Sequence, residues 1–132
     1  LICYEIVYPE LAARSAREAE IMVTISNDIW FGSSIGPLQH LQMARMRALE
    51  NGRYLLRGTN NGVSAIIDHR GRILARTPQF EEASLTGEAQ VMLGHTPFTS
   101  FGSVPLLTAL GLVLGCMALL YRTLWRDSSA RL

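Results

Sequence analysis

Leu1-Ile2-Cys3-Tyr4-Glu5-Ile6-Val7-Tyr8 opens the chain as an apolar, β-prone run, and Pro9 to Glu20 follows with the helix formers Leu11, Ala12, Ala13, Ala16 and Ala19 behind an early proline. Ile21-Met22-Val23-Thr24-Ile25 is β-branched again, so this opening predicts strand, helix, strand. Ser26 to Gly36 is a turn-rich loop long enough to carry function. Pro37 then opens a helix to about Asn51, stopped by Gly52. Arg53 to Thr59 and Val63 to Asp68 predict strands joined across Asn60-Asn61-Gly62, and Asp68-His69-Arg70-Gly71 turns the chain into a last short strand, Arg72 to Arg76. Interleaved helices and strands with hairpin additions make the class α/β.

Composition pulls toward a membrane. Of 132 residues, 48% are hydrophobic and only 17% charged, against roughly 25% charged in ordinary soluble domains. All 12 basic residues are arginine, and 11 acidic residues leave a net charge of +1, which gives no electrostatic basis for nucleic-acid binding. Arg45, Arg47, Arg53 and Arg57 do not form a stripe with aromatic stacking partners, so no nucleic-acid partner is expected. The first residue is Leu1 rather than Met, and the chain reads as the back part of a longer protein.

From Ala89 to Tyr121 there is no Asp, Glu, Lys or Arg. Val104 to Tyr121 supplies about 18 apolar residues, roughly 27 Å of helix, close to the thickness of a bilayer's hydrocarbon. This predicts a transmembrane helix at 104–121, with 93–103 as a linker and 122–132 as a tail. Tyr121 and Trp125 suit an interfacial belt, and Arg122, Arg126 and Arg131 follow, so the tail is expected in the cytoplasm and residues 1–92 on the opposite side.

Cys3 ends an apolar strand shortly before a helix, a junction where α/β proteins can present a nucleophile, although position alone favours an inert buried cysteine. Glu5, two residues on, is expected on the same side of the strand as the thiol. His40, His69 and His95 are scattered, without metal spacing, and read as turn or surface residues; no metal and no cofactor are expected. Cys116 lies within the predicted span, too far from Cys3 to suggest a disulfide framework. On the helix from Pro37, Arg45 falls within the face of Leu38, Leu41, Ala44, Ala48 and Leu49, and is expected to pair structurally, with Asp28 or Glu50 as partner. Trp30-Phe31 is an aromatic pair in a loop, suited either to lipid contact or to burial against the sheet.

Ile2-Cys3-Tyr4-Glu5 with Tyr8-Pro9-Glu10 resembles the nucleophile motif of the nitrilase superfamily of carbon-nitrogen hydrolases. Thr24-Ile25-Ser26-Asn27-Asp28-Ile29-Trp30-Phe31-Gly32, Gly36-Pro37-Leu38-Gln39-His40 through Glu50, and Thr59-Asn60-Asn61-Gly62-Val63 are similar to one branch, the apolipoprotein N-acyltransferases. The match runs to about Arg76 and then becomes topological. The resemblance implies an αββα sandwich of which this chain holds the C-terminal part, followed by one transmembrane helix, in a multi-pass protein of the bacterial inner membrane with a periplasmic catalytic domain. It implies a Glu-Lys-Cys triad in which Cys3 takes an acyl chain from a phospholipid donor as a thioester and passes it to the N-terminal diacylglyceryl-cysteine of an apolipoprotein. Tyr4 and Glu5 match positions flanking the nucleophile that the family needs, and Trp30 matches an aromatic near the substrate entrance. A membrane-anchored amide hydrolase is the alternative. The triad's Glu and Lys lie upstream of the Cys in this family, and the chain has no lysine, so this polypeptide alone is expected to be inactive and not to reach the native fold.

Overall fold

The computed structural model describes residues 1–129, with side chains to Arg122. Its first 102 residues form one compact unit, and Ser103 onward forms a second.

In the first unit two helices cover one face of a four-stranded sheet. The helices are α1 (Pro9–Arg17) and α2 (Gly36–Asn51), and the strands are β1 (Ile21–Ser26), β2 (Tyr54–Thr59), β3 (Ala65–Ile67) and β4 (Ile73–Arg76). Strand order is β1-β2-β3-β4. β1 and β2 run parallel across the α2 crossover, and β2, β3 and β4 are antiparallel. Register sets Met22 beside Leu55 and Thr24 beside Arg57, so alternate residues share the helix-covered face. Ile6, Ala12, Ala16, Met22, Leu41, Ala44, Ala48, Leu55 and Ile67 form the core there. Alanines at Ala12, Ala16, Ala44 and Ala48 let the helix backbones come close. On the opposite face Val23 and Ile25 stay exposed, so the layer corresponds to one helix-covered half of a sandwich. Gly52 ends α2 in the left-handed region (φ 59°), the conformation that needs glycine at a helix terminus.

The opening strand does not form as expected. Only its start pairs with the sheet: Ile2 bridges Ile25 in parallel, and the Ile25 N–H donates to the Leu1 carbonyl. Cys3–Val7 then winds into a 3-10 turn. Ile6 is fully buried beneath it, so the β-prone side chains serve the core from a turn. Local propensity yields because the chain must leave the sheet edge and enter α1 at Pro9.

Within the stretch 93–103, α3 (Pro97–Phe101) is held to the helical layer. Arg17 donates from Nε to the Thr99 carbonyl (2.8 Å) and from Nη2 to that of Ser100 (3.1 Å). Thr99 Oγ1 donates to Asn51 Oδ1 (3.0 Å), and Arg53 Nη2 to the Gly94 carbonyl (2.5 Å).

The second unit is α4 (Val104–Ser129). Its Val104–Arg122 portion, 19 residues of mean hydropathy 2.1, is long and apolar enough to cross a membrane. The side chains of Trp125 and Arg126, and all of Arg131, lie outside the described residues.

Candidate active site

Cys3 sits where the chain leaves the sheet edge, with φ at 50°. For a non-glycine residue the left-handed region costs roughly 1–2 kcal/mol, and such strain is characteristic of functional turns. The same turn is braced from below, because the Ile2 N–H donates to Glu5 Oε2 (2.7 Å) and the Glu5 N–H to the Ile2 carbonyl (3.1 Å). Glu5 therefore caps the turn; it is not a strand neighbour lying alongside the thiol. Tyr4 stands on the other side, edge-on to Tyr8 with centroids 5.9 Å apart and tilted toward His40 at 6.4 Å.

Cys3 is partly exposed and opens on a groove of about 560 Å³ lined by Ile2, Ile25, Ser26, Asn27, Gly58, Thr59 and Asn60. Its sulfur lies 3.6 Å from Ser26 Oγ, and Ser26 donates to Asp28 Oδ1 at 2.6 Å. Asp28 is the centre of a buried cluster: His40 Nδ1 is 3.0 Å from Oδ1, Arg57 Nη2 donates to Oδ2 at 2.6 Å, and the Asp28 N–H donates to Asn60 Oδ1 at 3.2 Å. Burial pulls the Arg57 guanidinium below its ordinary pKa, and the adjacent Asp28 carboxylate opposes that shift. His40 has one ring nitrogen committed to this cluster, while Nε2 is buried without a partner among the described residues.

Sequence reasoning missed this cluster. His40 was expected as a turn or surface residue, yet it is 3% exposed. The arginine expected to pair with Asp28 or Glu50 was Arg45, but Arg45 reaches the Gly71 carbonyl (2.8 Å) and Gln42 Oε1 (2.7 Å). Arg57 takes Asp28, and Arg47 takes Glu50 with Nη2 2.8 Å from Oε1. Leu38 and Leu49, assigned to the buried face of α2, are 41% and 47% exposed, so the face is rotated toward Arg47.

The loop above the cluster carries the 3-10 turn Ile29–Phe31. Trp30 there is 85% exposed, whereas Phe31 turns edge-on to His40, centroids 6.0 Å apart. Asn27 Oδ1 accepts from the Ile29 N–H (3.2 Å) and from Asn60 Nδ2 (2.8 Å), which ties the loop to the end of β2. Gly62 lies against Asp28 so closely that a Cβ would collide with the carboxylate. Both cysteines are free, and among the described residues no three His, Cys, Asp or Glu side chains converge as metal ligands.

A thiol on a strained turn between a sheet edge and a helix, facing an open groove, is the arrangement of an α/β domain that can present a cysteine. Residues 1–97 match the carbon-nitrogen hydrolase family, and the chain belongs to it. Among its relatives is a protein of Azotobacter vinelandii named apolipoprotein N-acyltransferase, 59% identical over 86% of this chain and 22% of that protein. One of Pseudomonas putida bearing the same name is 57% identical over 86% of this chain and 23% of its own. Similarity thus continues beyond Arg76, where the motifs read from sequence give out. This chain spans 22–23% of the length of these two curated relatives. A crystal structure of a carbon-nitrogen hydrolase from Helicobacter pylori superposes with a TM-score of 0.55 at 22% identity, over 62% of this chain and 36% of that one, which supports the fold.

Proposed function

We propose that this chain is the nucleophile-bearing part of an apolipoprotein N-acyltransferase, with Cys3 as its nucleophile. The observation that carries the reading is Cys3 itself, left-handed at a strand-to-helix junction and open to the groove. The names borne by the relatives at 59% and 57% identity support it, as does α4.

In this reading the Cys3 thiolate attacks the ester carbonyl of a phospholipid, the C–O bond breaks, and the lysophospholipid leaves with a proton from a general acid. The α-amine of a diacylglyceryl-cysteine then attacks the thioester; the C–S bond breaks, an amide forms, and the amine's proton passes to the same group acting as base. That acid/base is the triad's glutamate, which with the lysine lies outside these residues. Glu5 and Tyr4 frame the nucleophile, the first by capping its turn. Trp30, exposed on its loop, meets the lipid substrate. Val104–Arg122 spans the inner membrane with its arginine end in the cytoplasm, and the α/β unit works in the periplasm.

The test uses the full-length polypeptide that carries this sequence, in detergent with phospholipid and no acceptor, followed by mass spectrometry of the Cys3 peptide. An acyl mass released by hydroxylamine and absent from Cys3→Ser is expected. An unmodified Cys3 in folded protein overturns lipid acyl transfer and favours hydrolysis of an amide.

A further inference from the structure

Among the described residues Cys3 joins the sheet only through the bridge at Ile2, and its backbone is left-handed, so a strand ladder does not fix where the sulfur points. The polar atom that meets the sulfur is Ser26 Oγ, at the last position of β1. Ser26 is itself held. Its hydroxyl lies 2.6 Å from Asp28 Oδ1, and Asp28 is anchored by His40 and Arg57 with its side chain fully out of solvent.

A hydroxyl has one proton and an ionised carboxylate can only accept, so the short bond assigns the Ser26 proton to Asp28. While Cys3 is a thiol, the longer contact is made through its own S–H, directed at the Ser26 lone pairs; once the thiolate forms, the Ser26 O–H turns to donate to the sulfur from the same anchored oxygen. A serine that needed only a partner is satisfied by Asp28 alone; this one also lies against the nucleophile. Burial of an ion pair is seldom worth more to stability than an apolar pair of the same volume. The Asp28–Arg57 pair, however, ties the loop after β1 to β2 and holds Ser26 in one place, which gives it a geometric use.

We infer that Ser26 is a positioning residue for Cys3: its hydroxyl, fixed by the buried Asp28 carboxylate, sets the direction of the sulfur toward the acyl carbonyl. This rests on Cys3 being the nucleophile proposed above, and not on the identity of the acyl donor.

The experiment measures acylation of Cys3 at fixed pH in the full-length polypeptide, from p-nitrophenyl butyrate by the nitrophenolate burst and from phospholipid by mass spectrometry. Ser26→Ala is expected to slow the burst about ten- to hundredfold, the scale of a misaimed reacting group, with KM within about twofold of the parent. Ser26→Thr, which restores the hydroxyl, is expected to recover most of the rate. A Ser26→Ala burst within about twofold of the parent overturns the inference. So does a loss appearing only as raised KM, a loss that Ser26→Thr does not recover, or an alanine variant that fails to fold, since each describes a binding or structural role. A parent that reacts with the nitrophenyl ester but not with phospholipid defeats the lipid donor while leaving Ser26 under test. A parent that reacts with neither shows that Cys3 is not a nucleophile and defeats both.

Discussion

Asp28 and Arg57 meet at 2.6 Å between Oδ2 and Nη2, and neither side chain touches solvent. They come from the loop after β1 and from the middle of β2, so the pair fastens the site's loop to the sheet. Removing Arg57 leaves the buried Asp28 charge with only His40 and Ser26 against it among the described residues, and removing the Asp28 charge leaves the Arg57 guanidinium buried without its anion; breaking a buried pair from one side costs about 3–5 kcal/mol. Arg57→Ala is therefore expected to lower the unfolding free energy by about that amount, read from denaturant midpoints. Asp28→Asn, which keeps the shape and loses the charge, is expected to be destabilised too. If both substitutions leave the midpoint unchanged, the pair is not buried as described.

Gly62 tests the same cluster from the hairpin side. An alanine Cβ there overlaps the Asp28 carboxylate, and that carboxylate cannot swing away without abandoning Ser26, His40 and Arg57. Overpacking of this kind costs about 1–3 kcal/mol. Gly62→Ala should lose that stability and slow acylation of Cys3. A neutral alanine would mean that Asp28 has room to move.

The turn at Cys3 separates stability from chemistry. Because the residue is left-handed, Cys3→Gly relieves strain of roughly 1–2 kcal/mol against a chain-entropy cost of about 0.4–1 kcal/mol. It is expected to be at least as stable as the parent in thermal melts and to take no acyl group. Cys3→Val, β-branched, is expected to melt lower. Equal melting of the glycine and valine variants would remove the case for a strained nucleophile.

Much of this layer was legible because its signals are local: Pro9 and Pro37 open α1 and α2, Gly52 ends α2, and Asp68 to Gly71 turns into β4. The site was less so. His40 and Asp28 are 12 residues apart, and Arg57 and Asp28 are 29 apart, so only the β1–β2 pairing across α2 brings them together. One signal was available: Arg57 alternates with Leu55, the register of the covered face, which calls for a buried anion. The helical phase of α2 misled in the same way, since Ala44 and Ala48 centre a stripe that buries Arg47 and leaves Leu38 and Leu49 at its margins. Cys3 was read as a strand end, and only three dimensions reveal that its strand is a single bridge.

Glu50 offers a pH test. Burial raises its pKa above the ordinary carboxylate value; Arg47 opposes the shift and nearby Glu10 adds to it. An acid raised in the folded state holds its proton more tightly there than in the unfolded chain. Its contribution to stability is therefore fully present below the ordinary carboxylate range and is lost as pH climbs through the raised value. Glu50→Gln removes this titration. The variant is expected to gain on the parent as pH rises toward neutrality and to lose that gain in acid, measured by denaturant midpoints across pH. A gain confined to acid would reverse the sign and place the carboxylate in net favourable surroundings.

Trp30 is the exposed member of an aromatic pair whose other member, Phe31, is packed edge-on to His40. Ile29 and Ile35 on the same loop are also more than half exposed, although the loop is anchored by Asn27 and Asp28. Fixed apolar side chains held in water contribute little to folding, so Trp30→Ala is expected to shift the unfolding free energy by no more than about 0.5 kcal/mol. If the loop meets a lipid substrate, the same change removes a large amphipathic contact and raises KM for phospholipid about tenfold, while p-nitrophenyl butyrate, which lacks the long acyl chains and the headgroup, is expected to react at the parent rate. A fall in both reactions together would instead make Trp30 a support for the Cys3 turn. An unchanged KM for phospholipid would take the loop out of substrate binding and leave Phe31, through His40, as the member of the pair that serves the site.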